Sequence, residues 1–262
     1  KNIPSGSFVN LTDNICQFIG ICAFNSASKI TARFLGRVEG QEIDQEWLRT
    51  KLKAALSLRE RMYDQPYYRL IHAEADGLPG VIIDRFGDTA VIQPNASWAE
   101  NMLDDFSTIL TQDFGIKNVL KNAAGRSRKL EGLDDENKVL AGQIDGVIPV
   151  PMNGATFMAD VEGGQKTGLF FDQRPNHAFA AGLAKGLRVL DVFSHVGGFS
   201  LTALAHGATQ ATAVDGSEPA LELAQKGAKA TGVADKFKTI RGDAFDTMRE
   251  LIDAGEKYDL VI

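Results

Sequence analysis

Residues 187–200 read LRVLDVFSHVGGFS: an apolar run, an aspartate near its end, and two adjacent glycines that turn the chain into the next segment. A continuous apolar run bounded by turn residues is the pattern of a strand buried on both faces, as strands of parallel sheets are. Reading outward from this strand, Leu187–Phe193, the pattern predicts a helix over Phe199–His206, a strand over Ala211–Asp215 and a helix over Glu218–Thr231. A strand over Phe237–Arg241, a helix over Ala244–Ala254 and a strand over Tyr258–Ile262 follow. Upstream, Asn176–Ala184 reads as a helix with Pro175 placed to start it. Strict alternation of buried strands and helices implies an α/β fold with a parallel, doubly wound, Rossmann-like sheet.

The sequence before this region has a different texture. A hairpin is expected around Asn153-Gly154, between Val147–Val150 and Ala155–Val161, because Asn-Gly supplies the left-handed residues of a two-residue turn. Tyr68–His72, Val81–Asp84 and Thr89–Gln93 read as three antiparallel strands separated by Asp76–Gly80 and Gly87-Asp88. Trp98, Met102, Phe106, Ile109, Leu110 and Phe114 mark one face of a helix, and Asn118–Asn122 is a returning strand. Glu46–Arg61 has helical spacing of its apolar residues. Ser7–Leu11, Cys16–Ala23 and Ile30–Leu35 read as short strands of a small barrel. These readings divide the chain into residues 1–45, a partial barrel; 46–145, a linker helix and an α+β central domain; and 146–262, the hairpin and the α/β region.

Bulk composition narrows the classes. The chain has 262 residues, 44% of them hydrophobic, enough to bury real cores. The apolar runs are interrupted well short of the roughly 20 residues of a membrane span. Two cysteines, Cys16 and Cys22, make no disulfide framework and no metal site, and they fit a reducing cytoplasm. Both are expected on one face of a strand as small buried hydrophobes. A net charge of −6 argues against coating nucleic acid by electrostatics alone. Residues 1–40 are locally positive, with Lys1, Lys29, Arg33 and Arg37 against Asp13 and Glu39. Arg126-Ser127-Arg128-Lys129 reads equally as a phosphate contact or a solvated loop.

In open parallel sheets, ligands bind beyond the carboxyl ends of the strands, so the residues there carry the chemistry. After the first strand come Asp191, Phe193, Ser194, Gly197 and Gly198; after the second, Asp215, Gly216 and Ser217; after the third, Asp243 and Ala244. Each suits a part of S-adenosylmethionine. The two glycines let the loop backbone approach a ligand and open a helix whose N–H groups favour a carboxylate. Asp215 can accept from both ribose hydroxyls, Asp243 from the adenine amino group with the Ala244 N–H facing a ring nitrogen, and Asp191 would complement the methionyl ammonium through water. Singly, a Gly-Gly is a tight turn, and Asp215 or Asp243 a helix cap. Together, in the right order at the right strands, they outweigh those readings. A dinucleotide would need the denser G-x-G-x-x-G cradle, which is missing.

The string Gly164-Gln165-Lys166-Thr167-Gly168-Leu169-Phe170-Phe171-Asp172-Gln173-Arg174, followed by Asp191 and Gly197-Gly198-Phe199-Ser200, resembles the bacterial 23S ribosomal RNA cytosine-C5 methyltransferases of the large-subunit methyltransferase I type. Tyr68–Gly80 with Ile83-Asp84-Arg85 is similar to that family's central domain. Residues 1–40 look like part of its PUA-type RNA-binding barrel, with Gly20, Phe24-Asn25 and Ser28. The resemblance implies a class I methyltransferase fold, S-adenosylmethionine as cofactor, no metal, 23S rRNA as partner and no membrane; the oligomeric state stays open, a homodimer included. It also implies that Gln165, Lys166, Thr167, Gly168, Phe170, Phe171, Asp172 and Arg174 line the methionine end of the cofactor pocket. Without the family, Phe170 and Phe171 are an apolar edge and Asp172 caps the next helix. Ser194-His195-Val196 departs from the aromatic-Thr pair of many relatives, and His195 reads as a surface loop residue.

Cytosine C5 attacks a methyl sulfonium only after a cysteine thiolate has added to C6, and a base must later remove the C5 proton. No cysteine lies in residues 164–262. In the resembling family an Asp-Pro-Pro motif and a cysteine-bearing motif come later, so the catalytic cysteine is expected beyond Ile262, in roughly 120 further residues by ordinary domain size. Alternatives are a methyltransferase for another RNA position or a small molecule, and a non-catalytic RNA-binding or assembly factor that keeps the fold.

Overall fold

A computed structural model describes residues 3–144, 146–163 and 168–262 of the chain, without the side chain of Arg126. Two compact units divide it, Lys1–Asp145 and Gly146–Ile262.

The first unit opens with an antiparallel sheet of β1 (Ser7–Thr12), β2 (Phe18–Phe24) and β3 (Ala32–Gly36). Cys22 lies buried in β2, but Cys16 stands before the strand, exposed and with a left-handed φ of 63°. The expectation of two buried cysteines on one strand face therefore holds only for Cys22; the turn after Asp13, whose carboxylate accepts from the Ile15 and Gln17 amides, takes Cys16 out of the strand.

Helix α1 (Gln45–Met62) starts where the Asp44 side chain accepts the Trp47 amide at 2.8 Å, and buries Trp47, Leu48, Leu52 and Ala55. The strands β4 (Tyr67–His72), β5 (Val81–Phe86) and β6 (Thr89–Pro94) are antiparallel, as read. The helix expected from Trp98 to Phe114 is two: α2 (Ser97–Asn101) and α3 (Leu103–Phe114), broken at Met102 and closed by Gly115 at φ 66°. They carry the chain across to β7 (Asn118–Lys121), parallel to β6. A short helix α4 (Arg126–Leu130) and an edge strand β8 (Lys138–Ala141) complete the five-stranded order β4-β5-β6-β7-β8.

Ile21, Ala23 and Leu35 of the small sheet share one core with Trp47, Leu70, Trp98 and Phe106, so packing is continuous across residue 45. Glu131 ties the small sheet down, accepting from Asn25 Nδ2 at 2.9 Å, the Arg33 guanidinium at 2.7 Å and the Ser28 hydroxyl. Arg128 is fully buried, donating to the carbonyls of Pro94 and Asp134 and to the Glu100 carboxylate. It cannot reach a phosphate. Lys129 is exposed, 3.9 Å from Asp135.

The second unit begins with a hairpin, β9 (Val147–Met152) and β10 (Ala155–Asp160). Asn153 at φ 52° and Gly154 at φ 78° make its two-residue turn, as the Asn-Gly pair requires. Helix α5 (Arg174–Leu183) follows, with Pro175 in its first turn. Then β11 (Arg188–Val192), α6 (Gly198–Ala205), β12 (Gln210–Asp215), α7 (Glu218–Thr231), β13 (Phe237–Arg241), α8 (Ala244–Asp253) and β14 (Leu260–Val261) alternate. The sheet is parallel in the order β13-β12-β11-β14, so the direction of winding reverses between β11 and β14. The hairpin packs on this layer: the Thr156 amide donates to Thr231 Oγ1 of α7 at 2.9 Å.

Candidate functional site

The parallel register brings the ends of β11, β12 and β13 to one edge of the sheet, where the residues picked from the sequence stand. The loop between β11 and α6 is the most constrained part. Phe193 and His195 both have left-handed backbones, φ 62° and 50°, which L side chains adopt at a cost and which cluster where a loop must aim its groups. Gly197, at φ 77°, is the cap residue of α6 and needs no Cβ for its turn. At Gly198 the missing side chain also serves a neighbouring ring. A Cβ there would lie 2.5 Å from the imidazole of His177, so the absent side chain makes room for that ring.

Asp191 is 1% exposed beneath the loop, and its Oδ2 accepts from both the amide and the hydroxyl of Ser200, in the first turn of α6. Burial pushes its carboxyl up to about 6, against the lowering by the two Ser200 hydrogen bonds and with a small further rise from the Asp215 charge. Asp215 spans two loops: Oδ2 accepts the His195 amide and Oδ1 the Ser217 amide, each at 2.8 Å. It is not the cap of α7, because Ser217 is, accepting from the Ala220 amide. Asp243 is a cap: its Oδ1 accepts the Phe245 and Asp246 amides at the start of α8, with Ala244 buried as the first residue. Gly216 stands open, since a Cβ there would meet only the Gly242 carbonyl, at 3.9 Å.

Beside the loop lies a cavity of about 260 Å³, lined by Met152 and Phe157 of the hairpin, Phe170 and His177, and Ser194 to Phe199 except Gly197. His195 is half-buried in its wall, edge-on to Phe170 with ring centroids 5.0 Å apart, and is not the surface residue expected. Gly168 has a φ of 94° with the Asp160 carbonyl 2.7 Å from its missing Cβ, and Phe171 is buried. Asp172 lies in a 3₁₀ turn and does not cap α5: Gln173 occupies the cap position, with no side-chain capping bond. The Arg174 carbonyl accepts from Asn153 Nδ2 at 2.8 Å, fastening this segment to the hairpin turn. Gln165, Lys166 and Thr167 lie outside the described residues.

Sequence reading overlooked His177 and the hairpin's part in the cavity. His177 shares the buried face of α5 with Ala180 and Ala181, and a histidine at a core position of an otherwise alanine-rich face is the signal that was available. Its ring stands edge-on to Phe199 at 4.5 Å, and burial pulls its imidazole down to about 4 although Asp172 raises it. Its Nδ1 and the hydroxyl of Ser194 are buried with no hydrogen-bond partner among the described residues. Orphaned polar atoms of this kind are uncommon and mark places where a ligand or water completes the structure. The glycine turn, the bare Gly216, the carboxylate of Asp215 and these two orphans fit a ligand with a charged amino-acid end, a ribose and a planar base.

The model of the S-adenosylmethionine-dependent methyltransferase family matches residues 129–262. Over 98% of its length the chain is 35% identical to the ribosomal RNA large subunit methyltransferase I of Alteromonas mediterranea and 34% identical to that of Tolumonas auensis, spanning 66% of each. With the protein of the same name from Photobacterium profundum it shares 34% identity, over all of this chain and 67% of the relative. Among solved structures, one assigned as a SAM-dependent methyltransferase from Streptococcus mutans superposes with a TM-score of 0.85 at 20% identity, covering 100% of this chain and 69% of that one. Another, assigned as a methyltransferase and complexed with SAH, gives 0.85 at 20% identity over 98% of this chain and 67% of its own. At that identity the likeness is one of fold.

Proposed function

The chain belongs to the S-adenosylmethionine-dependent methyltransferases, in the group of the ribosomal RNA large subunit methyltransferases I, and from that premise we propose that it serves to form 5-methylcytosine in 23S rRNA. The cofactor supplies an electrophilic methyl group on a sulfonium. The observation that carries the reading is the convergence of three strand-end loops, with Gly197, Asp215 and Asp243, on one edge of a parallel sheet beside the cavity at Ser194 and His177.

In this reading Asp215 accepts from the ribose hydroxyls while its other lone pairs hold the His195 and Ser217 amides in place. The Asp243 carboxylate, which caps α8 through Oδ1, receives the adenine amino group. The N-terminus of α6 faces the methionyl carboxylate, and Asp191 supplies negative charge from beneath to a cationic ligand. By the family resemblance the proposal assigns the methionine end to Gly168, Phe170, Phe171, Asp172 and Arg174, and to Gln165, Lys166 and Thr167, which lie outside the described residues. The small sheet β1-β2-β3 is read as the piece of a PUA-like RNA-binding barrel, and the site of action as the cytoplasm. No helix among the described residues is long and apolar enough to cross a membrane.

Attack by cytosine C5 needs a thiolate at C6. Cys16 and Cys22 lie in the first unit, and burial pushes the Cys22 thiol up, away from the thiolate. The chain spans 66% of the length of its first relatives, and the proposal assigns the nucleophile to the part of the family's length that this chain does not span. Bisulfite sequencing of 23S rRNA tests the reading: a strain deleted for the gene should lose one 5-methylcytosine, and complementation should restore it. An unchanged profile would refute the cytosine assignment.

A further inference from the structure

His195, in the loop between β11 and α6, touches two parts of the candidate site that lie far apart in the chain. Its amide donates to Asp215 Oδ2 at 2.8 Å, on the side read as the ribose end. Its ring stands edge-on to Phe170, with centroids 5.0 Å apart and planes at 84°, on the side read as the methionine end. Both rings line the cavity of about 260 Å³. Phe170 is half-buried in the stretch that leads from Gly168 through the 3₁₀ turn Phe171–Gln173 into α5, whose cap residue Gln173 makes no side-chain capping bond. The Arg174 carbonyl ties this stretch to Asn153 of the hairpin turn, and the His195 ring ties it to the strand-end loop.

The ring is held there against its own backbone. His195 has a left-handed φ of 50°, and a residue with a Cβ stays in that region only where its surroundings over-determine it. The loop meets the same demand two residues later with Gly197, at φ 77° and without strain. For the turn alone, a glycine at position 195 would be the less strained choice. Nor does the bond to Asp215 require a side chain, since every residue but proline supplies a backbone N–H. What the side chain adds is the contact with Phe170, and edge-to-face geometry is one that such rings favour.

We propose that His195 is a positioning residue that sets the two ends of the cofactor site relative to each other. Its amide fixes the Asp215 carboxylate for the ribose, and its ring fixes Phe170, and with it the stretch from Gly168 to Arg174, for the amino-acid tail. This rests on the methyltransferase reading and adds to it a side chain that the reading leaves out. The consequence is a preference for ligands that carry both a ribose and an amino-acid tail, because only these engage both ends at once. The ring and the amide act separately, so removing the ring costs binding at the tail and spares the ribose.

The test compares two ligands by calorimetry in the full-length protein and its H195N, H195F and F170A variants. S-adenosylhomocysteine has the amino-acid tail; methylthioadenosine has the same adenosine and ends at the sulfur without it. H195N keeps the amide and removes the ring, and Asn, like His, enters the left-handed region more readily than most residues. It should bind S-adenosylhomocysteine about three- to tenfold more weakly, the worth of one edge-to-face pair, and bind methylthioadenosine as wild type does. H195F, which keeps a ring against Phe170, should restore the affinity. F170A should repeat the loss, and the H195N/F170A double variant should lose no more than either single one. Equal weakening of both ligands in H195N would make His195 a brace of the whole loop and overturn the proposal. Unchanged affinity for both would overturn it too, as would an H195F variant that binds no better than H195N. If the wild-type protein binds neither ligand, the methyltransferase reading itself falls, and the role of His195 with it.

Discussion

Replacing Asp191 by Asn should make the stability of the second unit less dependent on pH, and the size of the effect follows from where the carboxylate sits. In the folded chain burial raises this group from 3.8 to about 6. A group raised on folding is held more tightly as the protonated form in the native state. Its stabilising contribution is therefore full below the unfolded value, falls as pH climbs between about 4 and about 6, and is gone above that window. At about 1.4 kcal/mol per pH unit, the whole change is about 3 kcal/mol, of which about 1.4 kcal/mol falls between pH 5 and pH 8. Asn has nearly the shape of the protonated acid, and its carbonyl oxygen can still accept from the Ser200 amide and hydroxyl. Any fixed cost of its extra N–H is the same at every pH.

The quantity to measure is the unfolding free energy of D191N minus that of wild type, by urea titration at pH 5, 6, 7 and 8. Far-UV circular dichroism or hydrogen exchange of the second unit should be the probe, because both tryptophans, Trp47 and Trp98, lie in the first unit and fluorescence would report on the wrong one. The difference should move in favour of the variant by about 1.4 kcal/mol over that range. A flat difference would refute the argument that Asp191 is strained by burial.

Two further outcomes are expected. Asp215→Ala should weaken S-adenosylhomocysteine binding by about 1–3 kcal/mol, the value of hydrogen bonds to a charged acceptor; calorimetry showing full affinity with only a loss of stability would leave Asp215 as a loop brace between His195 and Ser217. Gly198→Ala should destabilise the second unit by about 1–3 kcal/mol through overpacking against His177, and most of that loss should vanish when the same change is made in a His177→Ala background, as a double-mutant cycle reads.

Much of the second unit was legible because its signals are local. Buried strands of a parallel sheet are continuous apolar runs, Asn-Gly specifies a two-residue hairpin turn, and glycines and caps punctuate helices, so α7 and β13 fall at Glu218–Thr231 and Phe237–Arg241 as read. The strand-end residues could be nominated because a parallel sheet fixes where its loops gather. The first unit was less legible. The edge strand β8 is four residues without alternation, and the break at Met102 interrupts a helix whose apolar spacing continues across it.

By itself, the sequence determined the order of elements, the α/β character of the second unit, and which residues stand after which strands, since these depend on periodicity and turn chemistry over a few residues. Only the tertiary structure decided what those residues do for one another. Arg128 reads as a phosphate contact or part of a solvated loop until Pro94, Glu100 and Asp134 close around it and make it a buried brace. Asp215 reads equally as a helix cap until the structure gives that place on α7 to Ser217. Nothing local in the sequence tells that His177, twenty-one residues earlier, stands where a side chain of Gly198 would be. Burial, orphaned hydrogen-bonding atoms and ring contacts arise between residues far apart in the chain, and no local pattern encodes them.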